Sequence, residues 1–319
     1  MVTTCTRELF VEQMKVESDG VMSVLLRALD GAELPRWEAG AHIDVEVGPG
    51  MVRQYSLCGD PDDKHRWRIG VLRERGSRGG SRRVHDHIRP GHTLMCSDPL
   101  NNFELDESDR PLTFIAGGIG ITPILALARS AHRAGREFHL HYGGRTRTAM
   151  AFQSELEEFG ESVSVYSDDV EGPLDLESIC ADVPGAGGRV YVCGPAGLLD
   201  AVTELADDWP AGTLRLERFI PKLVEAPIDG ERSFMVRCVD SAVDVEVPPD
   251  QSILATLESA GIHVPFSCRE GTCGTCETPI LSGIADHRDS LLSSEEQEAN
   301  ETMLLCVSRS KTDQLELEI

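Results

Sequence analysis

Cys268, Cys273 and Cys276 stand at C-x4-C-x2-C spacing, and a fourth cysteine, Cys306, follows thirty residues later in Leu304-Leu305-Cys306-Val307. Four thiolates are the soft anionic ligands that iron–sulfur chemistry needs, and this spacing is the plant-type pattern for a [2Fe-2S] cluster. Gly271, Thr272, Gly274 and Thr275 lie between them. Small and flexible residues there let the backbone wrap inward and aim N–H groups at the sulfurs. A cluster in so short a loop is expected to sit close to solvent. The alternatives are a zinc site and plain buried thiols. A structural zinc site usually pairs two short knuckles, whereas here three cysteines crowd one loop and the fourth stands alone in an apolar run.

Two further stretches suit anionic ligands. Arg53-Gln54-Tyr55-Ser56-Leu57 places a cation, an aromatic ring and a hydroxyl on one alternating segment, and Leu72 leads into a Gly-rich basic run, residues 73–84, that contains Gly79, Gly80 and Ser81. Residues 53–89 hold 10 basic and 5 acidic side chains in a chain whose net charge is -24. A Gly-rich turn opening a helix is a ready anion site, although such a turn can equally be an ordinary surface loop. Farther on, Gly117-Gly118-Ile119-Gly120-Ile121-Thr122-Pro123 separates a buried-type strand from a helix, and Cys193-Gly194-Pro195 does the same later. The first is not the G-x-G-x-x-G dinucleotide fingerprint, and a tight strand-to-helix turn would also explain it. After the second strand, Arg145, Thr146 and Arg147 offer two cations and a hydroxyl but no acid for a ribose diol. His85, Asp86 and His87 sit at helix-like spacing beside the Gly-rich run without a third ligand, so a metal site is not expected there.

The elements that must carry these residues fall into three groups. Short alternating strands at 21–27, 42–47, 66–72 and 92–96, with Gly and Pro between them, indicate a small antiparallel barrel. From residue 110, strands at 112–116, 138–142, 162–166 and 189–193 alternate with helices at 124–134, 150–159 and 198–206, the rhythm of a parallel doubly wound α/β sheet. Residues 220–231 break both periodicities and form a linker that spans ~40 Å when extended. The last unit has strands at 234–239, 243–247, 278–281 and 315–319 and helices at 252–260 and 293–299. The resulting division is 1–107, 108–221, a linker at 222–232, and 233–319.

Residues 233–319 resemble a plant-type ferredoxin domain, which implies an α+β β-grasp fold with Cys268, Cys273, Cys276 and Cys306 as cluster ligands. R-x-Y-S followed by G-G-S resembles the flavin-binding barrel of the ferredoxin-reductase superfamily, and the order of parts is that of the phthalate dioxygenase reductase family. The resemblance spans almost the whole chain. It implies FMN rather than FAD, with Arg53, Gln54, Tyr55, Ser56 and Leu72 lining the flavin and Gly79, Gly80 and Ser81 cradling its phosphate. Gly117 to Pro123 is similar to the superfamily's nicotinamide loop, and Cys193-Gly194-Pro195 to its C-G-P motif. Thr122 and Cys193 would then border the nicotinamide, while Gly117, Gly118 and Gly120 would admit the pyrophosphate. Phe219 resembles the aromatic residue that covers the flavin, though a core Phe ending a strand is an equal reading. Thr146 stands where the founding pattern has an acid after the Arg, so Arg145 and Arg147 leave NADPH close behind NADH.

The implied function is an NAD(P)H-dependent oxidoreductase that passes single electrons from FMN through [2Fe-2S] to a Rieske-type terminal oxygenase. A cytochrome P450 or other monooxygenase as acceptor, and a non-catalytic iron–sulfur sensor, are the alternatives. The strongly negative charge speaks against nucleic acid. Residues 231–319 carry 17 acidic against 6 basic residues, a face suited to a basic partner or simply to solvation. No apolar run approaches the ~18 residues of a membrane span, and the N-terminus lacks a signal-peptide pattern, so a cytoplasmic monomer is expected. Cys5, Cys58, Cys96, Cys180 and Cys238 are expected to be small buried hydrophobes.

Overall fold

In the computed structural model, residues 6–74, 76, 79–183, 185–222 and 230–319 are described. Cys5, Arg75, Ser77, Arg78 and most of the expected linker lie outside them. The chain divides into two units, one through Glu217 and one from Arg218.

The first unit opens with an antiparallel sheet of β1 (Arg7–Ser18), β2 (Val21–Ala28), β3 (Ala41–Gly48), β4 (Met51–Ser56), β5 (Arg66–Leu72), β6 (Thr93–Cys96) and β7 (Leu100–Asn101). The order is β4-β3-β6-β1-β2-β5, with β7 against β3. Asp19-Gly20 turns β1 into β2, and Gly20 has φ 80 there, left-handed backbone that glycine adopts without strain. Leu9, Val11, Val24, Leu26, Ile43, Val45, Trp67 and Ile69 fill the interior. The expected antiparallel unit is present; its edge strands β4 and β5 are joined by one antiparallel bridge, Leu57 to Ile69, rather than by a full ladder. Helix α1 (Gly80–His87) closes one end.

The second sheet is wholly parallel: β8 (Leu112–Gly117), β9 (Phe138–Gly144), β10 (Val163–Ser167), β11 (Arg189–Cys193) and β12 (Leu214–Glu217), ordered β10-β9-β8-β11-β12. Helices α2 (Ile121–Arg133), α3 (Gln153–Leu156), α4 (Leu176–Cys180) and α5 (Ala196–Leu205) connect them. Strand order reverses beside β8, so the ligand crevice of such a sheet opens between the carboxyl ends of β8 and β11. Helix α2 begins three residues before the expected start. Pro123 falls in its first turn, where the missing N–H costs nothing. The helix expected at 150–159 is broken instead. Phe152 is left-handed at φ 61, only Gln153–Leu156 is α-helical, and 3-10 turns follow to Gly160 at φ 55. Burial explains the break: Met150, Phe152 and Phe159 are all inside, a set that one continuous helix face does not present.

That break helps to join the two sheets. Arg68 on β5 makes a bidentate pair with Glu155, at 2.8 and 2.7 Å, and its guanidinium lies 5.0 Å above the Phe152 ring. Arg129 of α2 also bonds Glu155 and donates to the Cys58 carbonyl, and Arg133 pairs with Asp60. A planar guanidinium meeting a carboxylate in this way fixes orientation as well as distance. The antiparallel sheet is thereby held against the helix that follows the Gly117 loop.

The second unit has strands β13 (Phe234–Cys238), β14 (Val243–Val247), β15 (Glu277–Ser282), β16 (Ala285–Asp286), β17 (Thr302–Leu304), β18 (Arg309–Ser310) and β19 (Gln314–Leu317), with helices α6 (Ile253–Ser259) and α7 (Ser294–Ala299). The main sheet runs β14-β13-β19-β15-β17, with β13 and β19 parallel and the other pairs antiparallel. Ile253, Leu254 and Leu257 of α6 are buried in its core with Val236, Leu305 and Leu315. This is the expected mixed sheet crossed by a helix. Ser252 and Ser293 cap α6 and α7 where the sequence places their starts.

Candidate functional site

The four cysteines of the second unit come together. The Cys268 thiol meets those of Cys273 and Cys306, and Cys276 meets Cys306. Arg269, Gly271 and Gly274 take positive φ of 57, 71 and 74, which winds the loop around its own sulfurs. The Glu270 N–H donates to Cys268 Sγ at 3.3 Å, and hydrogen bonds from its neighbours Cys273 and Cys306 hold the Cys268 thiol well below its ordinary range. Cys306 is brought in by the strand ladder: Leu305 N–H donates to the Cys276 carbonyl, and Leu254 N–H at the start of α6 donates to the Leu305 carbonyl. Outside the loop, Arg269 lies 4.0 Å over Phe266 and pairs with Glu258 at 2.8 Å. Four converging thiols on so wound a loop fit a [2Fe-2S] cluster. Cys273, Cys276 and Cys306 are buried, and Cys268 is partly exposed.

Gly271 has two reasons to be glycine. Its φ is 71, and a Cβ there would lie 2.6 Å from Val307 Cγ2 and 3.0 Å from Asp289 Cα. Gly271→Ala is expected to cost about 1–2 kcal/mol for the left-handed backbone, with crowding in addition. Iron per chain should fall at least twofold and the melting temperature should drop; full iron content in the variant would count against this role.

In the first unit the expected residues split. Arg53 lies beneath Gly80, where a Cβ would be 2.7 Å from its Nε, so the glycine lets strand β4 and the start of α1 touch. Gly79 has φ 91, and α1, α2 and α5 start without a side-chain cap, whereas α4, α6 and α7 have Asp175, Ser252 and Ser293. Uncapped N–H groups and a nearby cation are the donor set a phosphate requires. Tyr55 is pushed up to about 12 by burial, so its phenol stays neutral. Gln54 instead meets His42 at 3.3 Å, and Ser81 Oγ accepts the Glu74 N–H at 3.1 Å. Leu72 closes β5, half-buried.

At the other end of β4, Ser56 Oγ donates to Glu217 Oε2 at 3.4 Å, and Glu217 also receives the Cys193 thiol. Parallel pairing sets Cys193 of β11 opposite Glu217 of β12. Burial raises Glu217 to about 8, against the pull of its Ser56 and Cys193 hydrogen bonds, and burial also raises Cys193, helped by Glu217. The sequence reading assigned Glu217 no role. Its only trace there is an acid closing the strand Leu214-Arg215-Leu216-Glu217, and nothing local says that a cysteine and a serine converge on it.

The glycine loop packs more tightly than expected. A Cβ on Gly120 would lie 2.2 Å from the Cys193 carbonyl oxygen, and one on Gly117 would lie 2.7 Å from Pro195 Cδ. These glycines let the Gly117 loop and the Cys193-Gly194-Pro195 loop meet backbone to backbone. Gly118, at φ 54, has open space above it. Thr122 is buried, donates to the Ile119 carbonyl at 3.0 Å, and presses against Gly70 of β5, where a Cβ would be 2.7 Å from its Cγ2. Phe219 falls in the second unit and is exposed.

Comparison with known proteins places these sites in a lineage. The model for the 2Fe-2S iron-sulfur cluster binding domain matches residues 237–311, and that for the oxidoreductase NAD-binding domain matches residues 114–171. Vanillate O-demethylase oxidoreductase of Pseudomonas putida is 41% identical over 311 residues, covering 95% of this chain and 96% of the relative. The solved structure of phthalate dioxygenase reductase, a modular structure for electron transfer from pyridine nucleotides to [2Fe-2S], is 36% identical at a TM-score of 0.70, covering 98% of this chain and 97% of that one. The chain belongs to the phthalate dioxygenase reductase family. Its three kinds of fold and their cofactors follow that family: FMN, a nicotinamide coenzyme and a [2Fe-2S] cluster in an oxygenase-reductase oxidoreductase. The same arrangement recurs inside a larger protein. An intact type IV self-sufficient cytochrome P450 monooxygenase is 43% identical at a TM-score of 0.91, and this chain spans 41% of its length.

Proposed function

We propose that this family member is the reductase of a Rieske-type oxygenase system, with Ser56, Cys193 and Glu217 at the point where hydride passes. The observation that carries this reading is the convergence itself: a hydroxyl from the antiparallel sheet and a thiol from the parallel sheet meet one half-buried carboxyl. When bound, FMN accepts two electrons as hydride and releases them singly, and a [2Fe-2S] cluster takes them one at a time. The protein supplies binding and orientation.

Arg53 and the uncapped N–H groups after Gly79 and Gly80 would hold the flavin phosphate. Ser56 lies roughly 10 Å farther along the extended strand, so the hydrogen-bonded cluster would lie toward the ring of a flavin held by its phosphate at Arg53. Thr122 and Cys193 would bound the nicotinamide from two loops whose backbones touch, which would fix its approach. Gly118, the open glycine, begins a 3-10 turn that runs into α2, and the start of this turn together with the uncapped start of α5 would suit the pyrophosphate. Glu217 holds the Ser56 hydroxyl and the Cys193 thiol in one orientation and, being protonated over most of the neutral range, adds no charge.

No helix among the described residues is long and apolar enough to cross a membrane. A monomer in the cytoplasm is part of the proposal, supported by the buried thiols of Cys58, Cys96, Cys180 and Cys238, none of them in a disulfide. An anaerobic visible spectrum before and after NADH, then NADPH, tests the electron path. Flavin and iron–sulfur bands should bleach together; an unbleached spectrum overturns the reading and returns the iron–sulfur sensor. The close match to the P450 monooxygenase favours a second acceptor class. Turnover with a P450 but not with a Rieske oxygenase would decide for it.

A further inference from the structure

The outer half of the parallel sheet's carboxyl edge carries an arrangement that the reductase reading does not use. Strands β9 and β10 are parallel neighbours, with Gly144 opposite Ser167, so the segments that follow them emerge side by side. After β9 come Arg145, Thr146 and Arg147; after β10 come Asp168, Asp169, Val170 and Glu171. Thr146 is spent as a cap, its hydroxyl accepting the Ala149 N–H. Arg147 reaches across to the neighbouring strand, where its Nη2 donates to the Val165 carbonyl at 2.8 Å and to Glu171 Oε1 at 2.7 Å. The other oxygen of Glu171 accepts both the N–H and the hydroxyl of Ser167, each at 2.8 Å. Both carboxylate oxygens are therefore engaged and the group is locked in one place. Hydrogen bonding, first from the Ser167 N–H and then from Arg147, holds it low, at about 2, so it is anionic at any working pH.

Arg145 is exposed, and no ion pair engages it among the described residues. Asp168 and Asp169 are also exposed. The five charges around this corner are thus two positive and three negative. In doubly wound sheets the residues after the second strand receive the adenosine ribose, an acid suiting the free 2′-hydroxyl of NADH and an arginine the 2′-phosphate of NADPH. A phosphate brings about -1.5 to -2 charges at pH 7. Two arginines after β9 suit that phosphate in the sequence; the fold answers one of them with a fixed carboxylate from the next strand.

We propose that Glu171 is the residue that selects NADH over NADPH, by engaging Arg147 and holding a carboxylate beside it. This rests on the reading that the edge binds a nicotinamide dinucleotide, and the two are separable by experiment. The test uses the holoenzyme with wild-type FMN and iron content and measures kcat/KM for each coenzyme with ferricyanide as acceptor. Wild type should prefer NADH. Glu171→Gln should raise the ratio of NADPH to NADH efficiency at least tenfold, about 1.4 kcal/mol, and adding Arg147→Ala should take most of that gain away. If Glu171→Gln does not fold, Ser167→Ala, which removes one of the bonds that lock the carboxylate, should raise the ratio at least twofold. A wild type that prefers NADPH overturns the proposal, as does an unchanged ratio in the folded variant. A wild type reduced by neither coenzyme fails the reductase reading and takes this one with it.

Discussion

Cys306→Ser is expected to stop single-electron delivery while the first unit still accepts hydride. Serine offers a harder oxygen that does not ionise near neutral pH, and the loop would have only Cys268, Cys273 and Cys276 to hold two irons. Cys306 is held in place by its neighbour Leu305, whose N–H and carbonyl are tied to Cys276 and Leu254. Changing partners around a metal ligand already costs about 10–100-fold, so losing a ligand should lower NADH-driven cytochrome c reduction by more than about a hundredfold. Bleaching of the flavin band by NADH should survive, since every residue assigned to it except Phe219 lies in the unit ending at Glu217. Iron and zinc analysis of the purified protein belongs with this experiment. Zinc in stoichiometric amount, or wild-type iron in the variant, would remove the cluster assignment.

The second large effect is expected at Glu217. Burial lifts its carboxyl from the ordinary 4.5 to about 8, so the folded protein holds a proton there that the unfolded chain has released. The contribution to stability is therefore full below pH 4.5, declines as pH rises, and is gone above about 8. A shift of this size is worth on the order of a few kcal/mol, reduced by the partial exposure of the side chain. Melting temperatures of wild type and Glu217→Gln, compared from pH 5 to 9, should diverge in slope, with the variant flatter. A variant that falls with pH as steeply as wild type would place the titration elsewhere.

Activity reports on the same carboxyl. Glu217→Ala releases both Ser56 and Cys193, and misplacement of a reacting pair by about 1 Å can cost about a hundredfold. Rapid-mixing measurement of flavin reduction by NADH should show a loss of about 10- to 100-fold in the limiting rate, with a smaller change in the NADH concentration needed. A loss confined to NADH affinity would instead make Glu217 a binding residue.

Much of this molecule is written in short stretches of sequence because the physics there is local. The loop from Cys268 to Cys276 is legible since three ligands and the glycines that bend the backbone lie within nine residues. The starts of α6 and α7 are legible since Ser252 and Ser293 cap N–H groups three residues away. The alternation of strands and helices after residue 110 announces a parallel sheet for the same reason: each period is a property of one element.

What only the tertiary structure decides depends on residues far apart in the chain. Glu217 becomes part of the site because parallel pairing puts β12 beside β11 and the antiparallel sheet brings Ser56 to it across 161 positions. Phe152 breaks an expected helix because its ring is wanted under Arg68, a packing gain that outweighs local helix preference. Gly117 and Gly120 are glycine because another loop touches their backbone. Arg147 reads as a free cation until Glu171, 24 residues on, is seen to hold it. Spacing shows which groups are present; only the folded backbone shows which of them neutralise, bury or orient one another, because those energies depend on distance in space.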